Sequence, residues 1–278
     1  MSLLEKYKIK NKEKAAKNTI KFIEEGFKIV PPNRYLEWAS FVTKNSESFD
    51  LVECVFETIK ALDRGASFEE ANKILDNPNQ SGASYGFCLW QVAGFAKNGA
   101  DFVREVGGFY LRDEENKETL KEIEKENAEQ IKPSEKQKRI SDYVLNGLKM
   151  VYPERYRDWV SFVDSNKEGI GESIIKYVVE TMQSLDKGDS FEKADNILSN
   201  PDQSGSSYSF CLWKVAKFAK RGVGFARTRD PLYTRSEEMQ KYLDNIEKEN
   251  EVLKELERLR KLEEKEANNK QESESENE

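Results

Sequence analysis

The sequence predicts an all-α protein: a tandem duplication of a five- to six-helix bundle domain, with a charged connecting helix and a C-terminal helical arm. Apolar residues recur at the three- and four-residue spacing of amphipathic helices. No segment alternates apolar and polar residues as a strand does, and none carries a hairpin signal. The stretch NPNQSGASYGFCLW at 77–90 returns as NPDQSGSSYSFCLW at 200–213. Copies this far apart have the spacing of whole domains and not of solenoid repeats.

The repetition sets the predicted domain organisation. Trp38 has its counterpart in Trp159, and the peptide IEKEN occurs at 123–127 and again at 246–250. We therefore expect six segments in chain order: a basic N-terminal segment (1–16), a first helical copy (17–112), a charged connecting helix (113–139), a second helical copy (140–235), a charged helix or short coiled coil (236–266) and a disordered acidic tail (267–278).

The first three helices of a copy follow from their boundary residues. A helix over about 17–29 is ended by Pro31 and Pro32, and proline suits the first turn of the helix that follows. That second helix, RYLEWASFV, carries an apolar stripe at helical spacing. The third helix covers 50–63, and Gly65 after it is suited to a C-cap because glycine adopts a positive φ without strain. Gly188 is the corresponding C-cap in the second copy.

The remaining helices of a copy are marked by a capping box and by composition. Ser67 and Glu70 form the box before the fourth helix, and in the second copy Ser190 keeps only the N-cap half. The fifth helix, 84–97, is apolar almost all round, which predicts a place in the middle of the bundle. A sixth helix, rich in Glu and Lys, follows at 114–131 and again at 236–265.

Composition restricts where the protein works. The net charge of -7 argues against a general polyanion binder, although local basic patches remain compatible with it. No apolar run approaches the length of about 20 residues that crosses a bilayer. The charged N-terminus lacks the apolar core of a signal peptide, so we expect a cytoplasmic protein with no membrane partner. The abundance of Lys and Asn suggests an AT-rich bacterial or phage genome.

The absence of histidine removes several kinds of chemistry. With no His, the chain cannot build a Ser-His-Asp or Cys-His nucleophile. Its three cysteines are too few for an intramolecular structural zinc site, and their odd number does not resemble a disulfide framework. A catalyst made only of Asp, Glu, Lys or Tyr remains compatible with the sequence. Our expectation is nevertheless a protein that is not an enzyme, with no metal, no cofactor and no catalytic residues.

The repeated NPxQSGxS turn has two interpretations. The favoured one is structural, because Asn-Pro ends one helix, glycine makes the turn and serine caps the next helix. The alternative is an anion site, since free amides at a helix N-terminus attract phosphate or carboxylate. Its residues are Gln80, Ser81, Gly82 and Ser84 in the first copy, and Gln203, Ser204, Gly205 and Ser207 in the second.

A basic segment marks the second copy alone. This surface is a candidate for phosphate contacts or for docking an acidic partner, and the simpler interpretation is a solvated helix face. It comprises Lys214, Lys217, Lys220, Arg221, Arg227 and Arg229. A second candidate is shared by both copies, since Arg34–Tyr35 and Arg155–Tyr156 precede the tryptophan of each copy. Partial burial explains such a pair, but an exposed Arg–Tyr–Trp cluster would be a binding hot spot.

These observations favour a non-enzymatic intracellular binding protein that acts mainly through protein–protein interaction. The first alternative is a nucleic-acid-associated protein that uses the basic face and the N-terminal lysines. The second is an anion-binding protein or enzyme that uses the two turns. The apolar spacing of the C-terminal helix could also mediate a homodimer through a short coiled coil.

Overall fold

The computed structural model describes two compact units. One consists of Asn18–Leu145, here the N-terminal unit, and the other of Met1–Lys17 with Asn146–Glu278, here the C-terminal unit. Within the described residues the chain forms fourteen α-helices and two 3-10 turns and contains no strand, so the all-α prediction is confirmed. The described residues are 3–46, 49–76, 82–128, 132–199, 205–229 and 236–275.

The helices follow one another with short connections. In the first half of the chain they are α1 (Leu3–Ile29), a 3-10 turn (Pro32–Arg34), α2 (Tyr35–Lys44), α3 (Phe49–Asp63), α4 (Phe68–Leu75), α5 (Gly82–Phe95), α6 (Gly99–Val106) and α7 (Glu114–Ala128). In the second half they are α8 (Glu135–Met150), a 3-10 turn (Pro153–Arg155), α9 (Tyr156–Ser165), α10 (Ile170–Asp186), α11 (Phe191–Leu198), α12 (Gly205–Phe218), α13 (Gly222–Arg229) and α14 (Glu237–Ser275).

A buried tryptophan organises the core of the N-terminal unit. Trp38 on α2 is fully buried, and its Nε1 donates a hydrogen bond of 2.9 Å to the carbonyl oxygen of Phe22. Its ring lies edge-on to Phe95 of α5, with 5.2 Å between the ring centroids. Gly26 permits this packing, because a Cβ atom there would lie 1.9 Å from Nε1 of Trp38.

The C-terminal unit repeats this arrangement with its own residues. Trp159 on α9 is fully buried and lies edge-on to Phe218 of α12, again with 5.2 Å between ring centroids. A Cβ atom on Gly147 would lie 1.8 Å from an indole carbon of Trp159. In both units the helix before the proline turn therefore lies so close to the tryptophan that only glycine, which has no side chain, fits at the point of contact.

The predicted caps are present. Gly65 and Gly188 have φ angles of +83° and +84°, the left-handed conformation that glycine adopts without strain. Ser67 accepts a hydrogen bond from the amide of Glu70, whose carboxylate accepts one from the amide of Ser67. Ser190 makes only the first of these two bonds, as its sequence predicts.

The prediction that the fifth helix lies in the middle of each bundle is only partly right. Phe87 on α5 and Phe210 on α12 are 44% and 38% exposed, and Trp90 and Trp213 are half-buried. The inward faces of α5 and α12 are nevertheless fully apolar, and their core residues pack on α3 and α10.

Three other features differ from the sequence expectations. The short helices α6 and α13 were not predicted, because eight residues hold too few turns for a clear apolar period. The predicted connecting helix 113–139 contains all of α7 and the start of α8, which are separated at Pro133. The predicted disordered tail 267–278 is helical as far as Ser275, because no glycine or proline interrupts α14.

Candidate binding face of the C-terminal unit

The charged helix α14 packs against α12 and α13 of its own unit. Leu243, Ile246 and Leu253 are buried along one face of α14, at the three- and four-residue spacing that a helix needs for a continuous contact. Asn250 lies on the same face, between Ile246 and Leu253. The apolar spacing that suggested a coiled coil therefore serves, in this part of α14, a contact within the unit.

Three of the predicted basic residues already have acidic partners. Lys217 lies 2.7 Å from a carboxylate oxygen of Asp158 on α9, and Lys220 lies 2.8 Å from one of Glu257 on α14. Arg227 pairs with two carboxylates of α14, those of Asp244 and Glu247, at 2.6 and 2.7 Å. Much of the predicted basic surface thus holds α14 and α9 in place.

The other predicted basic residues have different surroundings. Arg221 donates from Nη1 to the carbonyl oxygens of Leu185 and Asp189, both at 3.2 Å, where α10 ends. Lys214 is half-buried with its Nζ 4.9 Å from the centre of the Phe210 ring, and burial lowers the pKa of Lys214. Within the described residues, the buried Nε of Arg229 has no hydrogen-bond partner.

The shared Arg–Tyr pair is not an exposed cluster, since Tyr35, Tyr156 and Arg155 are buried and Arg34 is only partly exposed. Tyr35 and Tyr156 are 9% and 8% exposed. In the N-terminal unit, Arg34 forms ion pairs from Nη1 to Glu37 at 2.7 Å and from Nη2 to Glu126 of α7. Each of its terminal nitrogens therefore meets one carboxylate.

Asn127 completes the surroundings of Arg34. Its Oδ1 accepts a hydrogen bond of 3.4 Å from Nε of Arg34. Its Nδ2 lies 3.2–3.3 Å from three carbonyl oxygens at the end of α5, those of Ala93, Gly94 and Ala96. One buried side chain of α7 thus satisfies a helix C-terminus that would otherwise leave carbonyl groups without partners.

The corresponding cluster of the C-terminal unit is incomplete. Arg155 is 5% exposed, and its Nη2 lies 3.2 Å from Glu249, which occupies the IEKEN position of Glu126. Among the residues that the structure describes, Nη1 of Arg155 and Oδ1 of Asn250 are buried without a hydrogen-bond partner. Burial lowers the pKa of Arg155, and the nearby Glu249 carboxylate opposes that shift.

A cleft opens beside this incomplete cluster. The Arg155 cleft, as we name it, has a volume of about 610 Å³ and lies between the Pro153–Arg155 turn, α9, α12 and α14. Two of its lining residues are apolar groups on α14 that remain accessible, since Val252 is 61% and Tyr242 39% exposed. Its polar lining residues are Glu154, Arg155, Asp158, Lys217, Asn245 and Glu249.

A second depression continues the same face. The Phe210 groove, of about 400 Å³, lies between α9 and α12 and is lined by Phe162, Phe210 and Lys214 among others. Asp158 and Lys217 line both depressions, so their ion pair stands where the two meet. The candidate binding face comprises this cleft and groove.

Other predicted sites receive no support from the described residues. The turn residues Gln80, Ser81, Gln203 and Ser204 lie outside them, as do the side chains of Ser84 and Ser207, while Gly82 and Gly205 begin α5 and α12. No cluster of three or more His, Cys, Asp or Glu residues suited to a metal ion occurs in the part of the chain that was described. The three cysteines are buried, and burial raises the pKa of Cys211 to about 12.

Sequence reasoning missed the residues that complete the arginine clusters. Glu126 and Asn127 were assigned only to a charged helix, although they hold Arg34 and the end of α5. Their counterparts Glu249 and Asn250 were treated in the same way. A signal was present, because the arginine and the last two residues of IEKEN recur together in both copies.

No family model, curated protein or solved structure matches this chain. None of the described helices combines the length and the apolar character that a membrane span requires.

Proposed function

We propose that the protein is a non-enzymatic binding protein that contacts another protein through the candidate binding face. The supporting observation is the Arg155 cleft, where a buried guanidinium with an unused donor lies beside exposed Tyr242 and Val252. Protein interfaces are enriched in Arg and Tyr, and such anchors in partly desolvated pockets carry most of the binding energy.

We also propose that the chain arose by tandem duplication of one helical unit. Matched contacts support this idea, because equivalent residues make equivalent bonds in both units. The Tyr85 hydroxyl lies 2.7 Å from Oδ1 of Asn72, and the Tyr208 hydroxyl lies 2.8 Å from Oδ1 of Asp195. Duplication followed by divergence would let one unit keep its packing while the other acquired a binding face.

The nucleic-acid alternative is less favoured. Phosphate contacts at Lys217, Lys220 or Arg227 would have to displace carboxylates that lie within 2.6–2.8 Å. Charge-assisted pairs of this kind are short-range and already neutralise the cations. The proposal therefore expects no binding of a DNA or RNA duplex with the steep salt dependence of phosphate contacts.

Selection of random peptides on the immobilised full-length protein tests the proposed function. We expect selected peptides to lose at least about tenfold in affinity on Val252→Asp and on Tyr242→Ala, because hot-spot truncations cost roughly 2 kcal/mol. The control is Ile170→Asp, the same kind of change at an apolar residue that is 77% exposed and does not line the face. If every selected peptide binds both face variants as well as the parent protein, the proposed function is wrong.

A further inference from the structure

We infer that the Arg155 cleft receives the carboxylate of an Asp or Glu side chain from the partner protein, and that Lys217 keeps the cleft available for it. The inference rests on the proposed function, because it names what the partner presents to the face. It comes from a single difference between the units. Both terminal nitrogens of Arg34 meet carboxylates, whereas Nη1 of Arg155 meets no acceptor within the described part of the chain.

The surroundings of Arg34 show what a complete cluster contains. Glu37 contacts Nη1 at 2.7 Å, Glu126 contacts Nη2, and Asn127 accepts from Nε at 3.4 Å. Two carboxylates therefore share one guanidinium in this fold. The planar fork of arginine permits this, because its donors point in fixed and separate directions.

In the C-terminal unit one of these two carboxylates is displaced. Asp158 occupies the sequence position of Glu37 but is shorter by one methylene group, and it pairs with Lys217 at 2.7 Å. The residue that matches Lys217 in the N-terminal unit is Gly94, which offers no competing cation. We infer that Lys217 holds Asp158 away, so that Nη1 of Arg155 has no carboxylate partner among the described residues.

The chemistry of the vacant position selects a carboxylate. A buried donor without an acceptor is unfavourable, and more so when it is charged, so a ligand oxygen at Nη1 of Arg155 removes that penalty. Glu37 provides the model for this oxygen, since it fills the same position around Arg34. Glu154, Asp158 and Glu249 also line the cleft and repel any anion, so a carboxylate with a single negative charge is repelled less than a phosphate group with nearly two.

The accessible apolar residues define the rest of the ligand. Tyr242 and Val252 lie on α14 beside the cleft and are 39% and 61% exposed. A partner segment that covers them needs apolar side chains next to its acidic residue. The ligand class is therefore a protein segment that carries an Asp or Glu flanked by apolar residues.

The test compares open and closed forms of the cleft in the full-length protein. The double variant Asp158→Glu/Lys217→Ala restores a long carboxylate next to Arg155 and removes the lysine that competes for it. Both changes lie on surface-accessible side chains, which are 52% and 34% exposed, so the fold tolerates them. The control is Lys73→Ala, which breaks an ion pair of 2.9 Å with Glu69 on α4 and does not line the cleft.

The probes are the face-dependent peptides from the selection described above, each compared with a version in which Asp and Glu are replaced by Asn and Gln. A charge-assisted hydrogen bond contributes roughly 1.5–3 kcal/mol, so we expect about a 10- to 100-fold loss of affinity. The same loss is expected for the parent peptide on the closed double variant, with none on Lys73→Ala. Inorganic phosphate should not compete with the peptide.

The outcomes separate this inference from the proposed function. If peptides depend on Val252 but bind equally well as amides and to the closed variant, the carboxylate inference is wrong and the proposed function stands. If phosphate displaces the peptide, the cleft selects a phosphate and the inference also fails. If no peptide loses affinity when the candidate binding face is changed, the proposed function itself is wrong.

Discussion

Each unit has an arginine at the same position of the fold, but the polar contacts of this arginine differ between the two units. Arg34 is satisfied by residues of its own unit, with carboxylates on both terminal nitrogens and an amide oxygen on Nε. Arg155 is buried more deeply than Arg34, yet one of its terminal nitrogens lacks an acceptor among the described residues. The comparison teaches that similarly arranged helices can leave an equivalent arginine fully paired in one unit and only partly paired in the other.

The largest expected effect tests whether the two cores are equivalent. Gly26→Ala and Gly147→Ala would each place a Cβ within 2 Å of a fully buried indole, at 1.9 and 1.8 Å. Overpacking of this kind costs about 3 kcal/mol, and we expect it in both units. Urea unfolding with hydrogen exchange resolved for each unit measures it, and a loss confined to one unit would contradict the equivalence.

A second prediction concerns the equivalent asparagines Asn127 and Asn250. Asn127→Ala removes the donor to three carbonyl oxygens of α5 and should cost about 2 kcal/mol. Asn250→Ala removes an oxygen that has no partner among the residues described, and we expect a cost below about 1 kcal/mol. Equal losses of unfolding free energy for the two variants would show that the C-terminal cluster is as complete as the other.

A third prediction concerns the glycine that replaces Lys217 in the first unit. A Cβ on Gly94 would meet nothing within 4 Å, so Gly94→Ala should stabilise α5 by about 0.5–1 kcal/mol. Lys217→Gly should destabilise α12 by a similar amount. Thermal unfolding of the two variants checks the opposite signs, and destabilisation by Gly94→Ala would contradict this prediction.

The smallest expected effect depends on pH and belongs to the C-terminal unit alone. Burial favours a higher pKa for Glu257, but hydrogen bonds from Lys220 and Lys261 hold its pKa below the ordinary value. A lowered folded-state pKa adds stability above the unfolded pKa of about 4.3, and this is lost as the pH falls through the folded pKa. Glu257→Gln should therefore be less stable than the parent at neutral pH, by less than about 1 kcal/mol.

The N-terminal unit serves as the control for this pH effect. Ser134 stands there at the position that matches Glu257 in the repeat, and its side chain cannot titrate. Urea midpoints measured from neutral to acid pH should converge for the parent and Glu257→Gln as the carboxylate becomes protonated. A difference that persists unchanged at low pH would assign the effect of Glu257 to packing and not to charge.

Local features of the fold could be predicted from the sequence because their causes are local. The caps at Ser67 and Ser190 and the glycines at Gly65 and Gly188 depend on residues within one turn, and all four were predicted correctly. The exposure of Phe87 could not be predicted in this way. A helix that is apolar on every side does not show in its sequence which of its faces other helices cover.

The candidate site could be predicted only in part. The sequence predicts both Arg155 and Lys217 as binding residues, the first from the shared Arg–Tyr pair and the second from the basic segment of the second copy. Their relation depends on Asp158 and on Glu249 of α14, which the chain brings together from distant positions. The spacing of residues along the sequence does not reveal ion pairs between residues so far apart. A comparison of the two copies, however, would have suggested that Arg155 lies near the IEKEN peptide, because both recur together.

The contact between Gly26 and Trp38 also constrains how this protein can vary. Since a Cβ atom at Gly26 would lie 1.9 Å from the indole nitrogen, neither residue can change size alone. Homologues that carry a larger residue at this glycine should also carry a smaller side chain at the tryptophan. The same coupling should hold independently for Gly147 and Trp159, so that covariation would appear as two separate pairs.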